Sequence, residues 1–115
     1  MLDYALELLA ERAGGLPVRA RVSFPPEFAG FQGHFPGMPI VPGFCQVQAV
    51  LDGLEAAGIR GKLERIDEAK FLRPIGPNES IELTIQNEAD GGWQAQLTVG
   101  AGVASRLKFH LAVDD

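Results

Sequence analysis

The chain has 115 residues, a net charge of −5 and a 46% hydrophobic share, which fits one domain with a real core and excludes a disordered chain. The balance of 15 Asp and Glu against 10 Lys and Arg excludes nonspecific nucleic-acid binding. A single cysteine, Cys45, excludes an internal disulfide, two His and one Cys at unrelated spacings leave no metal cluster, and no apolar run reaches the ~20 residues that span a membrane.

In chain order, Leu2, Ala5, Leu6, Leu9 and Ala13 recur at helical spacing, and the pattern predicts an amphipathic helix over 1–13 ended by Gly14-Gly15. Asp3, Glu7 and Glu11 within it are unlike a signal peptide, so a soluble, cytoplasmic protein is expected. Val18, Ala20, Val22 and Phe24 alternate with Arg19, Arg21 and Ser23 in a first strand. Residues 25–43 hold nine Pro or Gly in 19 positions, yet Phe28, Phe31 and Phe35 are interleaved, as in an ordered functional loop.

A second helix is predicted over 43–57, apolar nearly all round through Phe44, Val47, Val50, Leu51 and Leu54, and therefore buried. A strand around 63–72 and a turn at 74–78 follow. Then come three alternating strands, carried by Ile81, Leu83 and Ile85, by Trp93, Ala95, Leu97 and Val99, and by Val103, Leu107, Phe109 and Leu111. The expected architecture is α+β, a single domain over 1–115 with an antiparallel sheet wrapped around one central helix.

The chemistry concentrates at Gly33-His34-Phe35-Pro36-Gly37-Met38-Pro39-Ile40-Val41-Pro42-Gly43. Prolines restrict the loop that carries His34, and the loop leads into a helix whose first N–H groups lack intrahelical acceptors. A base beside a helix N-terminus suits removal of a proton alpha to a carbonyl, with charge developing on the carbonyl oxygen.

This motif, followed by Ile66-Asp67-Glu68-Ala69-Lys70-Phe71-Leu72-Arg73-Pro74, resembles the hotdog-fold 3-hydroxyacyl-acyl-carrier-protein dehydratases of type II fatty-acid synthesis, the FabZ and FabA group, over about residues 18–112. The resemblance implies a hotdog dimer that converts 3-hydroxyacyl thioesters to trans-2-enoyl thioesters. It implies His34 as the base, the Gly43 N–H as the carbonyl-binding group, and Phe35, Pro42, Phe44 and Arg73 at the substrate. No metal or redox cofactor is implied, because the substrate carries its own phosphopantetheine on acyl carrier protein or coenzyme A. The family's helix acid, contributed by the partner subunit, falls on Gln48, which has no proton to donate and recover as Glu or Asp does. Gln48 orienting the hydroxyl or a water, Asp52 substituting, and weakened or lost dehydration all remain open. Pairing with an acid-bearing paralogue is a further option beside a homodimer or higher homo-oligomer. A hotdog thioesterase and a non-catalytic acyl-thioester-binding subunit are the alternatives.

Several residues carry two readings. Phe28, Phe31, Phe35, Met38 and Phe44 suit either an acyl channel or core and interface packing. Cys45 reads as a small buried apolar residue, Gln46 as a buried group bonded to backbone, and His110 as solvated. Arg60, Lys62, Arg65, Lys70 and Arg73 put half the basic residues within 14 positions, either to dock an acidic carrier or as a mixed-charge strand edge beside Glu64, Asp67 and Glu68.

Overall fold

The computed structural model describes residues 3–10, 17–31 and 39–113. Six strands, β1 (Ala5–Ala10), β2 (Val18–Ser23), β3 (Gly61–Phe71), β4 (Ile81–Asn87), β5 (Trp93–Val99) and β6 (Gly102–Val113), and one helix, α1 (Gly43–Ala56), make up its regular structure beside a 3-10 turn at Ala29–Phe31. The strands form one antiparallel sheet in the order β1-β2-β4-β5-β6-β3.

Alternation sets which face is inside. Val18, Ala20 and Val22 of β2, Ile81, Leu83 and Ile85 of β4, and Trp93, Ala95, Leu97 and Val99 of β5 are buried on the inner face. Helix α1 lies against that face with Gln46, Ala49, Val50, Gly53 and Leu54 inward. The approach is close, since a β-carbon at Gly53 would stand 3.1 Å from Leu83 Cδ2. The expected apolar helix over 43–57 is thus present, but only one face is buried within the chain. Phe44 on the other side is 70% exposed.

Two expectations are corrected. The segment expected as a helix over 1–13 is strand β1 where it is described. Its residues also carry period two: Tyr4, Leu6 and Leu8 pack partly buried against the core, while Asp3, Ala5 and Glu7 face outward. Pairing with β2 from Ala5↔Ser23 to Ala10↔Arg19, plus a stack of Tyr4 on Phe24 at 4.8 Å, overrides local helical preference.

In β6 the simple alternation breaks. Leu97 pairs with Ser105 but Thr98 pairs with Val103, so Ala104 is the extra residue of a β-bulge. Ala104 and Ser105 are consequently both buried, one residue apart in sequence.

Strand β3 sits at the sheet edge, mostly exposed along its 11 residues. Ile66 and Phe71 within it and Leu72 just after it join Phe44 as the exposed large hydrophobics among the described residues.

Leu54 is almost fully buried between the helix and the sheet. Leu54→Ala is expected to cost about 3 kcal/mol of stability through lost burial and a residual cavity. Urea denaturation at fixed protein concentration checks it as a lower midpoint with an unchanged slope.

Candidate active site

The start of α1 is held on three sides. Pro42 caps the helix in extended conformation, with φ −61° and ψ 151°, and its carbonyl accepts from the N–H groups of Cys45 at 3.0 Å and Gln46 at 3.2 Å. The preceding Val41 donates its N–H to the Ile75 carbonyl at 2.8 Å. The buried Gln46 side chain donates to the Val41 carbonyl at 3.2 Å and accepts from the Ser105 hydroxyl. Gln46 is therefore the backbone-bonded buried group expected from the sequence. Its partner Ser105, on the inward phase with Leu107 and Phe109, carries no sequence signal of this bond because it lies 59 positions away.

The bulge also fixes the opposite wall. The Ala104 carbonyl accepts from the N–H groups of Leu72 at 2.8 Å and Arg73 at 3.2 Å, so the turn after β3 is tied to β6. Arg73 pairs with Glu79 at 3.0 Å, and the second oxygen of Glu79 accepts from Gly76 N–H at 2.7 Å. Between these walls lies a cleft of about 400 Å³, lined by Pro42, Gly43, Gln46, Phe71 and Arg73 among others. Gly43 opens the helix there, where the backbone N–H has no intrahelical acceptor and the helix dipole favours negative charge. A side chain would not fit unless Phe71 moved, since a β-carbon at Gly43 would lie 2.8 Å from Phe71 Cζ.

Of the residues predicted from sequence, the structure brings Pro42, Gly43 and Arg73 together in this cleft. His34, Phe35 and Met38 lie outside the described residues. Gln48 and Asp52 line a different cleft, of about 720 Å³, with Leu51, Glu55, Arg60 and Lys62. There Gln48 Nε2 donates to Asp52 Oδ1 at 2.9 Å, and the Tyr4 hydroxyl donates to Asp52 Oδ2. Burial, then this bond to Asp52, pushes the Tyr4 phenol well above its usual range. No local signal in the sequence reaches Tyr4, which lies 48 residues from Asp52 on a segment whose spacing also fits a helix.

The remaining candidates resolve as packing or pairing. Phe28 and Phe31 are buried in an aromatic cluster with Tyr4 and Phe24, which is core rather than channel. Burial raises the Cys45 thiol, the opposite of an activated cysteine. His110 is a correction: only 19% of its side chain is exposed, and Nε2 lies 3.0 Å from Asp67 Oδ2. Within the basic stretch, Arg65 pairs with Asp67, Lys70 with Glu68 and Arg73 with Glu79, giving a mixed-charge edge.

A curled antiparallel sheet holding one helix, with a cleft at the helix start, defines this α+β domain as a hotdog fold. The chain belongs to the ApeI-like family, described as ApeI dehydratase, which matches residues 10–110. It is 33% identical over 98 residues to the 3-hydroxyacyl-acyl-carrier-protein dehydratase FabZ of Cereibacter sphaeroides, covering 73% of this chain and 63% of that one. Against FabZ of Yersinia enterocolitica it is 41% identical over 75 residues, covering 56% and 44%. The chain therefore spans less than two thirds of the length of these relatives. A solved structure described as the dehydratase heterocomplex ApeI:P from Xenorhabdus doucetiae shares the fold, with a TM-score of 0.76 at 23% identity over 89% of this chain and 92% of that one.

Ser105→Ala removes the donor to Gln46 Oε1 and leaves a buried acceptor unpartnered. A loss of about 1–3 kcal/mol is expected, larger than a surface Ser→Ala change gives, and urea denaturation of the two variants side by side checks it.

Proposed function

We propose that the chain is a 3-hydroxyacyl-thioester dehydratase whose site is completed by a second chain. The observation that carries the reading is the Gly43 helix start, opening into a cleft walled by Phe71 and Arg73, in a chain whose Gly-His-Phe-Pro-Gly motif supplies His34 on the loop leading to it. FabZ relatives support the same reaction class.

In this reading the thioester carbonyl accepts a hydrogen bond from Gly43 N–H. An unprotonated imidazole nitrogen of His34 takes the proton from C2, and the electron pair moves onto the carbonyl oxygen as an enolate. The helix N-terminus favours the charge at that point. The enolate then collapses: a double bond forms between C2 and C3, the C3–O bond breaks, and the imidazolium returns its proton to the departing hydroxide as water. Phe35, Pro42 and Phe44 border the acyl and pantetheine path, and Arg73 holds the turn beside it through Glu79. The substrate brings its own pantetheine arm, on acyl carrier protein or coenzyme A, and no resident metal or redox cofactor takes part. The protein works in the cytoplasm.

Gln48 and Asp52 do not share the Gly43 cleft of their own chain, which supports their addressing the hydroxyl in the site of a partner. The 11-residue edge strand β3 supports the same pairing, because a long open edge flanked by Ile66, Phe71 and Leu72 favours being covered. The partner is a second copy of this chain, forming a homodimer or larger homo-oligomer, or an acid-bearing paralogue in a heterodimer. The solved neighbour described as a dehydratase heterocomplex supports the paralogue option.

The test is an assay of 3-hydroxyacyl pantetheine with wild type, His34→Ala and Gln48→Glu, following enoyl absorbance and free thiol together. Enoyl formation lost by 100-fold or more in His34→Ala is expected, in the range of removing a general base. Unchanged dehydration in His34→Ala refutes the mechanism, and thiol release without enoyl product makes the protein a thioesterase. A strong gain in Gln48→Glu marks Gln48 as a weakened acid position, whereas no gain assigns it to orienting the hydroxyl.

A further inference from the structure

Tyr4, Asp52 and Gln48 form a chain of hydrogen bonds with a defined direction. A carboxylate only accepts, so Gln48 must meet Asp52 with its amide nitrogen, at 2.9 Å. The other carboxylate oxygen accepts from the Tyr4 hydroxyl. Each oxygen of Asp52 thus accepts one of these bonds, which ties Gln48 to Tyr4 through a single side chain. The amide of Gln48 is left with Oε1 turned away from Asp52, and among the described residues no group donates to it. Gln48 and Asp52 both line the wide cleft on the outer side of α1.

The anchor of this chain is rigid. Tyr4 stacks on Phe24 with ring centroids 4.8 Å apart and an interplanar angle of 22°, and meets the edge of Phe28 at 6.2 Å. The adjoining strand β1 is held to β2 by a ladder beginning at Ala5↔Ser23. Burial keeps the phenol protonated, so its hydroxyl stays a donor at any pH at which the protein would work.

We propose that Tyr4 is a positioning residue: through Asp52 it fixes the Gln48 amide so that Oε1 accepts a hydrogen bond from the C3 hydroxyl of a 3-hydroxyacyl thioester. The proposal rests on the dehydratase reading and deepens it. It assigns the Gln48 and Asp52 pair to recognising the hydroxyl, and leaves both proton transfers to His34. It also predicts a reversal of polarity. In Asp52→Asn, the new Oδ1 accepts from Tyr4 and the new Nδ2 faces Gln48, which must then turn Oε1 inward and present its NH₂ to the cleft.

The test measures binding of 3-hydroxybutyryl pantetheine and of butyryl pantetheine by calorimetry, in a His34→Ala background so that neither is turned over. The ratio of the two affinities reports the hydroxyl contact alone. Tyr4→Phe keeps the stacking ring and removes only the anchor. The hydroxyl preference is expected to fall about five-fold, the worth of one hydrogen bond, with the affinity for the butyryl ligand unchanged. Asp52→Asn is expected to keep part of the preference, because the hydroxyl oxygen accepts from the inverted Gln48 amide. Gln48→Met is expected to abolish it, with Tyr4→Phe adding nothing further in that background. A wild-type preference retained in Tyr4→Phe, equal weakening of both ligands, or no hydroxyl preference in the His34→Ala parent overturns the proposal. Turnover by the unmutated chain is the separate readout of the dehydratase reading. A Tyr4-dependent preference without enoyl product keeps this proposal and removes that reading.

Discussion

Everything in the site depends on where helix α1 begins, and that point is set by the buried amide of Gln46. Its nitrogen holds the Val41 carbonyl and its oxygen receives the Ser105 hydroxyl, so one side chain ties the loop before the helix to strand β6 behind it. Such an amide is costly to bury unless both ends are satisfied, and here both are. With the helix start pinned, the Gly43 N–H has a fixed direction, which the proposed carbonyl-binding role requires.

The bulge at Ala104 serves the same end from the other side. The extra residue buries Ala104 beside Ser105 and frees the Ala104 carbonyl to hold Leu72 and Arg73. This irregularity in β6 thus supports the Leu72 and Arg73 wall of the Gly43 cleft. The small residue at 43 completes the geometry, because Phe71 covers the helix start closely enough that a β-carbon would collide with it.

What the sequence made legible was local. The apolar run from Phe44 to Leu54 marked the helix, and the alternations at Ile81–Ile85 and Trp93–Val99 marked the strands that carry it. The resemblance built on the Gly-His-Phe-Pro-Gly motif placed Gly43, Pro42 and Arg73 together, and the structure brings those three into one cleft. What stayed hidden depended on pairing between distant segments. Tyr4 to Leu8 fits a helix and a strand equally well until β2 offers it a ladder. Ala104 sits on the polar phase of β6 until the bulge shifts it, and Ser105 is a polar residue on the inward phase whose partner lies 59 residues away. The partition of Gly43 from Gln48 into two clefts follows from which faces of one helix the sheet covers, and no spacing rule reports that. His34, on which the proposed chemistry turns, lies outside the described residues.

The central claim is that one working site draws His34 and Gly43 from one chain and Gln48 from another. Subunit mixing tests it most directly. His34→Ala chains, inactive alone, and Gln48→Ala chains, weakened alone, are unfolded together, refolded at equal concentration, and assayed for enoyl formation. In a symmetric dimer with shared sites, half of the dimers are mixed and each mixed dimer holds one intact site, so recovery of roughly a quarter of wild-type activity is predicted. Recovery no greater than the sum of the two variants alone, in a sample shown by mass spectrometry to contain mixed dimers, would contradict a shared site.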